Sequence, residues 1–303
     1  MRLGTAPISW GVCEMDGWGD RLPYPRVLDE MAALGFAGTE LGPPAYLPTQ
    51  PELLRSELEA RGLQLVGSFC PISVPPDRAA AERTITETRS LAVLLAATGA
   101  RFLVLADGGD DARLATAGRA ERAGTPSLDR DGWKRLGDVA DRIGADAAGL
   151  GLRAVFHPEA GSYVETEDEI EQLLAHTDRG AIGLCLDTGH VAYGGGDPVA
   201  IARRHAERVE HLHAKDVDPA ILARVRSDGL GYLEAAAAGI FVPAGAGMVD
   251  FAGVFAALDL EQSDRWVIVE QDIRLGVGAA PQDPVANARA SRDHLRMLAQ
   301  RPR

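Results

Sequence analysis

Short apolar runs alternate with longer amphipathic stretches along this chain. The apolar runs lie at Leu3–Ala6, Gly38–Leu41, Gln64–Phe69, Phe102–Ala106, Arg153–His157, Gly183–Asp187, Val209–Ala214 and Trp266–Glu270. They lack polar alternation, as expected of parallel strands covered on both faces. Between them the apolar spacing becomes helical, as in Arg26–Leu34, where Val27, Leu28, Met31 and Leu34 share one side. Leu53–Arg61, Ala81–Thr98, Trp133–Leu150, Glu167–His176, Pro198–His205 and Phe251–Leu258 continue the series. Gly35, Gly62 and Gly99 follow three of these segments, where a helix C-cap takes a left-handed residue.

Strand–helix units repeated over 303 residues without a linker-like stretch predict an α/β fold, a single (β/α)8 TIM barrel spanning 1–303. An open doubly wound sheet would carry a glycine-rich phosphate turn after the first strand, and Ala6-Pro7-Ile8-Ser9-Trp10-Gly11 is not one. Residues 217–243 are too long for a simple strand-to-helix loop and contain a helical stretch, Ala220–Ala238. They are expected to form a loop-and-helix insertion that covers the site.

Composition adds exclusions. The chain is 46% hydrophobic and 25% charged, the balance of a folded globular protein. Its 44 acidic and 31 basic residues give a net charge of −13, which repels phosphate backbones and anionic lipid, so neither a nucleic-acid nor a membrane partner is expected. Cys13, Cys70 and Cys185 share no CxxC spacing, which argues against a disulfide framework and for a reducing compartment. No signal-peptide pattern opens the sequence, and no run approaches the roughly 18 apolar residues that span a bilayer. A cytoplasmic location is the expectation.

In a barrel enzyme the C-terminal ends of the strands face the site. Here strand two ends at Glu40 and strand four at Asp107; strand five runs into Phe156-His157-Pro158-Glu159 and strand six into Asp187-Thr188-Gly189-His190. Strand seven reads Glu210-His211-Leu212-His213-Ala214-Lys215-Asp216, and strand eight leads into Glu270-Gln271-Asp272. Several acidic groups around one axis are hard to sustain unless a cation holds them, because a buried unpaired charge costs several kcal/mol. The ligand set read from these ends is Asp187, His213, Glu270 and one of His157 or Glu159. Mixed carboxylate and imidazole donors suit Mn2+, Co2+, Fe2+ or Zn2+, with Mg2+ possible and Ca2+ a poorer match. Simpler readings compete at single positions. Asp187 and Thr188 suit a helix cap, Glu40 and Asp107 can cap as well, and Thr166 with Glu169 reads as a capping box. His176, His205 and His294 fall in helical patterns and are left outside the site. Cys13 and Cys70 have no neighbouring base, and Gly194-Gly195-Gly196 lacks the Lys-Ser/Thr of a phosphate loop.

The D-T-G-H at 187–190, the H-x-K-D at 213–216 and Glu270 stand in an order that resembles the xylose isomerase-like barrel superfamily. Within it the chain is most similar to the inosose dehydratase group. That likeness rests on A-P-I-S-W at 6–10, G-T-E-L-G-P at 38–43, F-H-P-E at 156–159, L-D-T-G-H-V-A-Y-G-G-G-D at 186–197 and G-I-F-V-P-A-G-A-G-M-V-D-F at 239–251. Dehydratase-like sequences often read His-Pro-His at strand five, so Glu159 is a departure. The resemblance implies Mn2+ or Co2+, a small polyhydroxylated ketone as substrate and a tendency to form homo-oligomers. It implies loss of water through an enediolate, with Glu270 or Glu159 as base and His190 or Lys215 acting on the departing hydroxyl. Trp10, Glu40, His190 and Lys215 are expected to contact substrate. An isomerase or epimerase of an acyclic sugar or sugar phosphate shares the first step and stands as the alternative. A nuclease of the superfamily's other branch is disfavoured by the charge.

Overall fold

Strands apolar on both faces can bury both only if helices cover one side and the sheet closes around the other. The computed structural model describes residues 1–260, 263–278 and 282–300. Its barrel strands are β1 (Arg2–Thr5), β2 (Gly38–Glu40), β3 (Gln64–Ile72), β4 (Phe102–Asp107), β5 (Arg153–His157), β6 (Ile182–Asp187) and β7 (Val209–Ala214). Two short strands follow, β8 (Asp216–Val217) and β9 (Phe241–Val242), and β10 (Trp266–Val269) completes the barrel. All eight barrel strands are parallel and closed in the order β1-β10-β7-β6-β5-β4-β3-β2.

Alternation along each strand sorts side chains into two sets. Leu103 and Leu105 of β4, Ala154 and Phe156 of β5, and Leu184 and Leu186 of β6 pack outward with the helix residues Val27, Leu28, Leu136 and Ile143. Phe102, Val104, Val155, Cys185 and Ile268 form a separate cluster inside the barrel. The helices fall where their apolar spacing placed them, shifted by up to three residues at their ends: Tyr24–Ala33, Pro51–Glu59, Arg78–Ala97, Arg130–Gly149, Glu167–Ala175, Pro198–Arg204 and Phe251–Leu258. A further helix, Pro284–Ala299, follows the eighth strand and carries His294. Among the described residues no helix is long and apolar enough to cross a membrane.

The insertion departs from the single helical stretch expected at Ala220–Ala238. Gly229, at φ 77°, breaks it into Pro219–Asp228 and Tyr232–Ala237, and β8 and β9 pair antiparallel at its base. A two-residue ribbon is marginal by itself. Asp216, fully buried, supplies the missing support: its carboxylate accepts the backbone N–H groups of Val217, Gly245, Gly247 and Val249 at 2.9–3.0 Å. Above the barrel, Trp18, Tyr193, Leu222, Val225, Tyr232 and Phe241 form a third apolar cluster that seats the insertion.

Asp107 caps no helix, since Asp110 caps the short helix that follows at Asp111–Thr116; Asp107 ties loops instead. Its Oδ2 accepts the N–H of Tyr163 at 2.7 Å and of Gly109 at 3.3 Å, tying the loop after β5 to the end of β4. Burial pushes its pKa up to about 6, with the two N–H donors opposing. The folded state therefore binds a proton more tightly than the unfolded chain between pH 4 and 6, and this group's contribution to stability falls as pH rises through that window. In Asp107→Asn the amide oxygen keeps both bonds and the pH term disappears. The variant's stability relative to wild type, read from denaturant midpoints, is expected to rise by about 1 kcal/mol between pH 5 and pH 7.5.

Candidate active site

The barrel-interior rows end in polar residues. Two positions beyond Val155 stands His157, two beyond Cys185 stands Asp187, His211 is followed by His213, and Ile268 by Glu270. Outward-facing Phe156, Leu186, Leu212 and Val269 lock the parity between them. The strand pitch thus aims one donor per strand at the barrel axis. His157, Asp187, His213 and Glu270 each bring a ligating atom within 4.8 Å of the others, and all four are buried.

Each donor is held by a partner that leaves it oriented. Asp187 ends β6 and caps the helix Thr188–Tyr193, its Oδ1 accepting the His190 N–H at 2.8 Å, while Oδ2 lies 3.3 Å from His157 Nε2. His213 Nε2 is 3.2 Å from Glu40 Oε1, and its Nδ1, buried with no aligned hydrogen bond, lies 3.1 Å from Glu270 Oε2 and 3.9 Å from Asp187 Oδ2. His157 repeats the arrangement, with Glu159 Oε2 at 3.2 Å from Nδ1. A carboxylate on the far nitrogen of a ligand histidine fixes the ring and raises its basicity. Two imidazoles and two carboxylates, with a buried imidazole nitrogen left free among them, fit a divalent cation. Cys185 and His211 sit one layer deeper, opposite each other in register. His211 Nε2 binds the same Glu40 oxygen at 2.8 Å, and burial pushes the Cys185 thiol up to about 11.

Beside this cluster lies a second group of polar side chains. Lys215 Nζ is 2.8 Å from Asp272 Oδ1, 2.8 Å from His190 Nε2, 3.3 Å from Glu270 Oε2 and 3.4 Å from Asp187 Oδ2. Glu159 Oε1 lies 3.2 Å from His190 Nε2. The Ala160 N–H donates to His190 Nδ1 at 3.0 Å, so a neutral ring carries its proton on Nε2, with Glu159 Oε1 as its acceptor. The Lys215 ammonium is a second donor and lies beside that N–H without accepting from it. Gly189 makes room for this arrangement, because a Cβ there would meet Lys215 Cγ at 2.5 Å. A cavity of about 490 Å3 opens over both groups, with Ile8, Val12, Phe69 and Tyr232 among its walls.

The electrostatics separate the two sides. Burial favours neutral Glu270, but His213 and Lys215 outweigh it and lower its pKa. Burial raises Glu159 above the usual carboxylate range, despite His157. Burial works against a charged Lys215, yet Asp187, Asp272 and Glu270 hold it as an ammonium. Burial and that ammonium together keep His190 neutral. The two carboxylates of one cavity, Glu270 and Glu159, are thus shifted in opposite directions.

Not every expected contact residue reaches the cavity. Trp10 is fully buried and donates its indole N–H to Glu30 at 2.7 Å, so it braces the first helix and does not line the site. Glu40 is equally absent from the cavity wall; its Oε1 is taken up by His211 and His213. His190, Lys215, Glu159 and Glu270 do line it. His176 and His205 bond to Gln172 and Glu171, residues of their own neighbourhood away from the site. Asp272 and Tyr232 line the cavity without having been singled out from the sequence. Asp272 was within reach of the same parity argument, two positions beyond Glu270. Tyr232 offered no signal beyond a lone aromatic in an alanine-rich stretch.

A family model described as xylose isomerase-like TIM barrel matches residues 28–298. The chain belongs to this family. The inosose dehydratase of Geobacillus kaustophilus (strain HTA426) is 34% identical over 271 residues, covering 89% of this chain and 87% of that protein. Among solved structures, the probable 3-DHS dehydratase of petrobactin synthesis from Bacillus anthracis superposes with a TM-score of 0.69 at 17% identity, covering 100% of each chain. The IolI protein with a bound zinc atom superposes with a TM-score of 0.69 at 14% identity, covering 99% of this chain and 98% of that one. These superpositions confirm the barrel.

The tight passage of Lys215 across Gly189 gives a direct check. Gly189→Ala forces the lysine stem or the helix to shift, at a cost of about 1–3 kcal/mol. A lowered denaturation midpoint with a displaced Lys215 in a crystal structure is the expected outcome; an unchanged midpoint contradicts the packing described.

Proposed function

We propose that this chain is a metal-dependent hydro-lyase that removes water from 2-keto-myo-inositol or a closely related cyclic polyhydroxy ketone. The observation that carries the reading is the pairing, in one cavity, of the His157–Asp187–His213–Glu270 cluster with Lys215 and His190 beside it. A relative named inosose dehydratase, aligned over most of both chains, supports the same substrate class. The cavity lining adds a constraint on charge. Among the described residues that line it, Glu14, Glu87, Glu159, Glu270 and Asp272 are acidic and Lys215 is the one Lys or Arg. Lys215 is already engaged by Asp272, so the wall offers a phosphate no free Lys or Arg, and an uncharged polyol fits this acidic lining best.

His157, Asp187, His213 and Glu270 would hold the metal, Mn2+ or Co2+ being the best match to two imidazoles and two carboxylates. When bound, it supplies Lewis-acid stabilisation of negative charge developing on the substrate's carbonyl oxygen. Glu270, kept ionised by His213 and Lys215, takes the proton from the carbon beside the carbonyl. The C–H electron pair moves into the adjacent carbon–carbon bond, and the carbonyl π pair moves onto oxygen. As the oxygen's pair re-forms the carbonyl, the enolate double-bond pair shifts to the α–β carbon–carbon bond, and the β carbon–oxygen bond breaks with its bonding pair leaving on oxygen. His190 Nε2–H and the Lys215 ammonium face that oxygen, and one of them donates the proton that makes it water. Glu159, 3.2 Å from His190 and of raised pKa, resupplies the proton. Glu40 acts from behind by orienting His213.

Purified protein supplied with Mn2+ or Co2+ and 2-keto-myo-inositol is expected to form an ultraviolet-absorbing product lighter by one water. A chelator should abolish the reaction and added metal restore it. Asp187→Asn should remove activity without unfolding the chain. Glu40→Gln should weaken metal affinity about 10–100-fold at constant fold. A product of unchanged mass would point to an epimerase instead, and indifference to chelator and metal would contradict the proposal.

A further inference from the structure

Lys215 has more acidic neighbours than it can serve. Asp187 and Glu270 lie 3.4 and 3.3 Å from its ammonium on the cluster side, and Asp272 lies 2.8 Å away on the other. Its stem is flexible and its charge is attracted in both directions, so its position depends on how firmly Asp272 is held. Asp272 is buried, and its Oδ2 accepts the Tyr232 hydroxyl at 2.7 Å. Tyr232 belongs to the insertion helix Tyr232–Ala237, not to the barrel repeat. Its ring lies nearly parallel to His190, at 20° with centroids 6.3 Å apart. Trp18, Tyr193 and Phe241 surround the ring at 6.1–6.4 Å and fix its place.

We propose that Tyr232 is a positioning residue: by holding Asp272 it keeps the Lys215 ammonium beside His190, at the departing hydroxyl, and away from Asp187 and Glu270. The inference rests on the functional reading above, in which Lys215 and His190 serve the leaving oxygen. It divides the site by origin. Barrel strands alone position Glu270 for proton abstraction, whereas the half that expels water is completed only when the insertion is seated. The two half-reactions are then separable by mutation.

Tyr232→Phe removes one oxygen and keeps the ring, and Asp272→Asn removes the charge that Tyr232 steadies. Both are assayed at saturating metal in D2O, following product by absorbance and deuterium in recovered ketone by mass. For Tyr232→Phe, kcat for water loss is expected to fall about tenfold or more, with KM within about twofold and the melting temperature unchanged. The ratio of deuterium incorporated to product formed should rise, since abstraction persists while elimination slows. Asp272→Asn should show the same pattern, and adding Tyr232→Phe to it should cost less than about twofold more, because both changes act on one linkage. Wild-type kcat in Tyr232→Phe overturns the inference. So does a parallel loss of exchange and elimination, or losses that multiply in the double variant. If the wild-type protein turns over no cyclic ketone, the functional reading falls and takes this inference with it; wild-type turnover with an unaffected Tyr232→Phe removes the inference alone.

Discussion

The constraint on which the upper end of this barrel depends is charge compensation. Glu40, Asp187, Glu270 and Asp272 are all buried within reach of one another's partners. An uncompensated carboxylate in such surroundings costs several kcal/mol, more than a typical domain can spare for each of four. The positive partners at hand are Lys215 and the imidazoles. Burial opposes charge on His157, yet Asp187 and Glu159 raise its pKa to about 9. This is a place that draws positive charge, and a divalent cation meets the demand while using the imidazole lone pairs as donors.

Once that demand is recognised, the supporting residues fall into a pattern. Glu40 and Glu159 each stand behind one histidine, so two of the four donors have a carboxylate on the nitrogen away from the cluster. Asp187 divides its oxygens between a helix cap and the cluster, so the same side chain ends a strand, starts a helix and joins the cluster. Gly189 is absent of side chain where Lys215 crosses. These are local backbone and packing solutions to one electrostatic requirement, and each is replaceable only at the expense of another.

Much of this was legible in the sequence. Strand and helix periodicity is a local property, so the barrel could be read from apolar runs, and parity placed Asp187, His213 and Glu270 inside it. The choice between His157 and Glu159 was not local: β5 ends at His157, which leaves Glu159 on a loop free to turn toward His190. The pairing of Glu40 with its histidines was not local either, since the two partners come from 171 and 173 residues away. Nor does anything in A-P-I-S-W say that the Trp10 indole donates to Glu30. Tyr232 reaches the cavity only through the fold of the insertion, and Gly229 breaks the helix that periodicity had drawn as continuous.

Dehydration and epimerisation begin with the same abstraction and differ in where the next proton goes. An epimerase must return it to carbon from the other face, which calls for a second base with free access to that carbon. The second carboxylate here, Glu159, is spanned between His157 and His190, with raised pKa and a role suited to relaying protons between nitrogens. The cavity wall also carries two donors, an ammonium and an Nε2–H, which on the proposed reading stabilise a departing oxygen. On the same reading, Asp272 and Tyr232 reinforce that bias through the Tyr232–Asp272–Lys215 linkage. On the proposed reading the barrel strands position the base, and the insertion completes the group that serves the leaving oxygen.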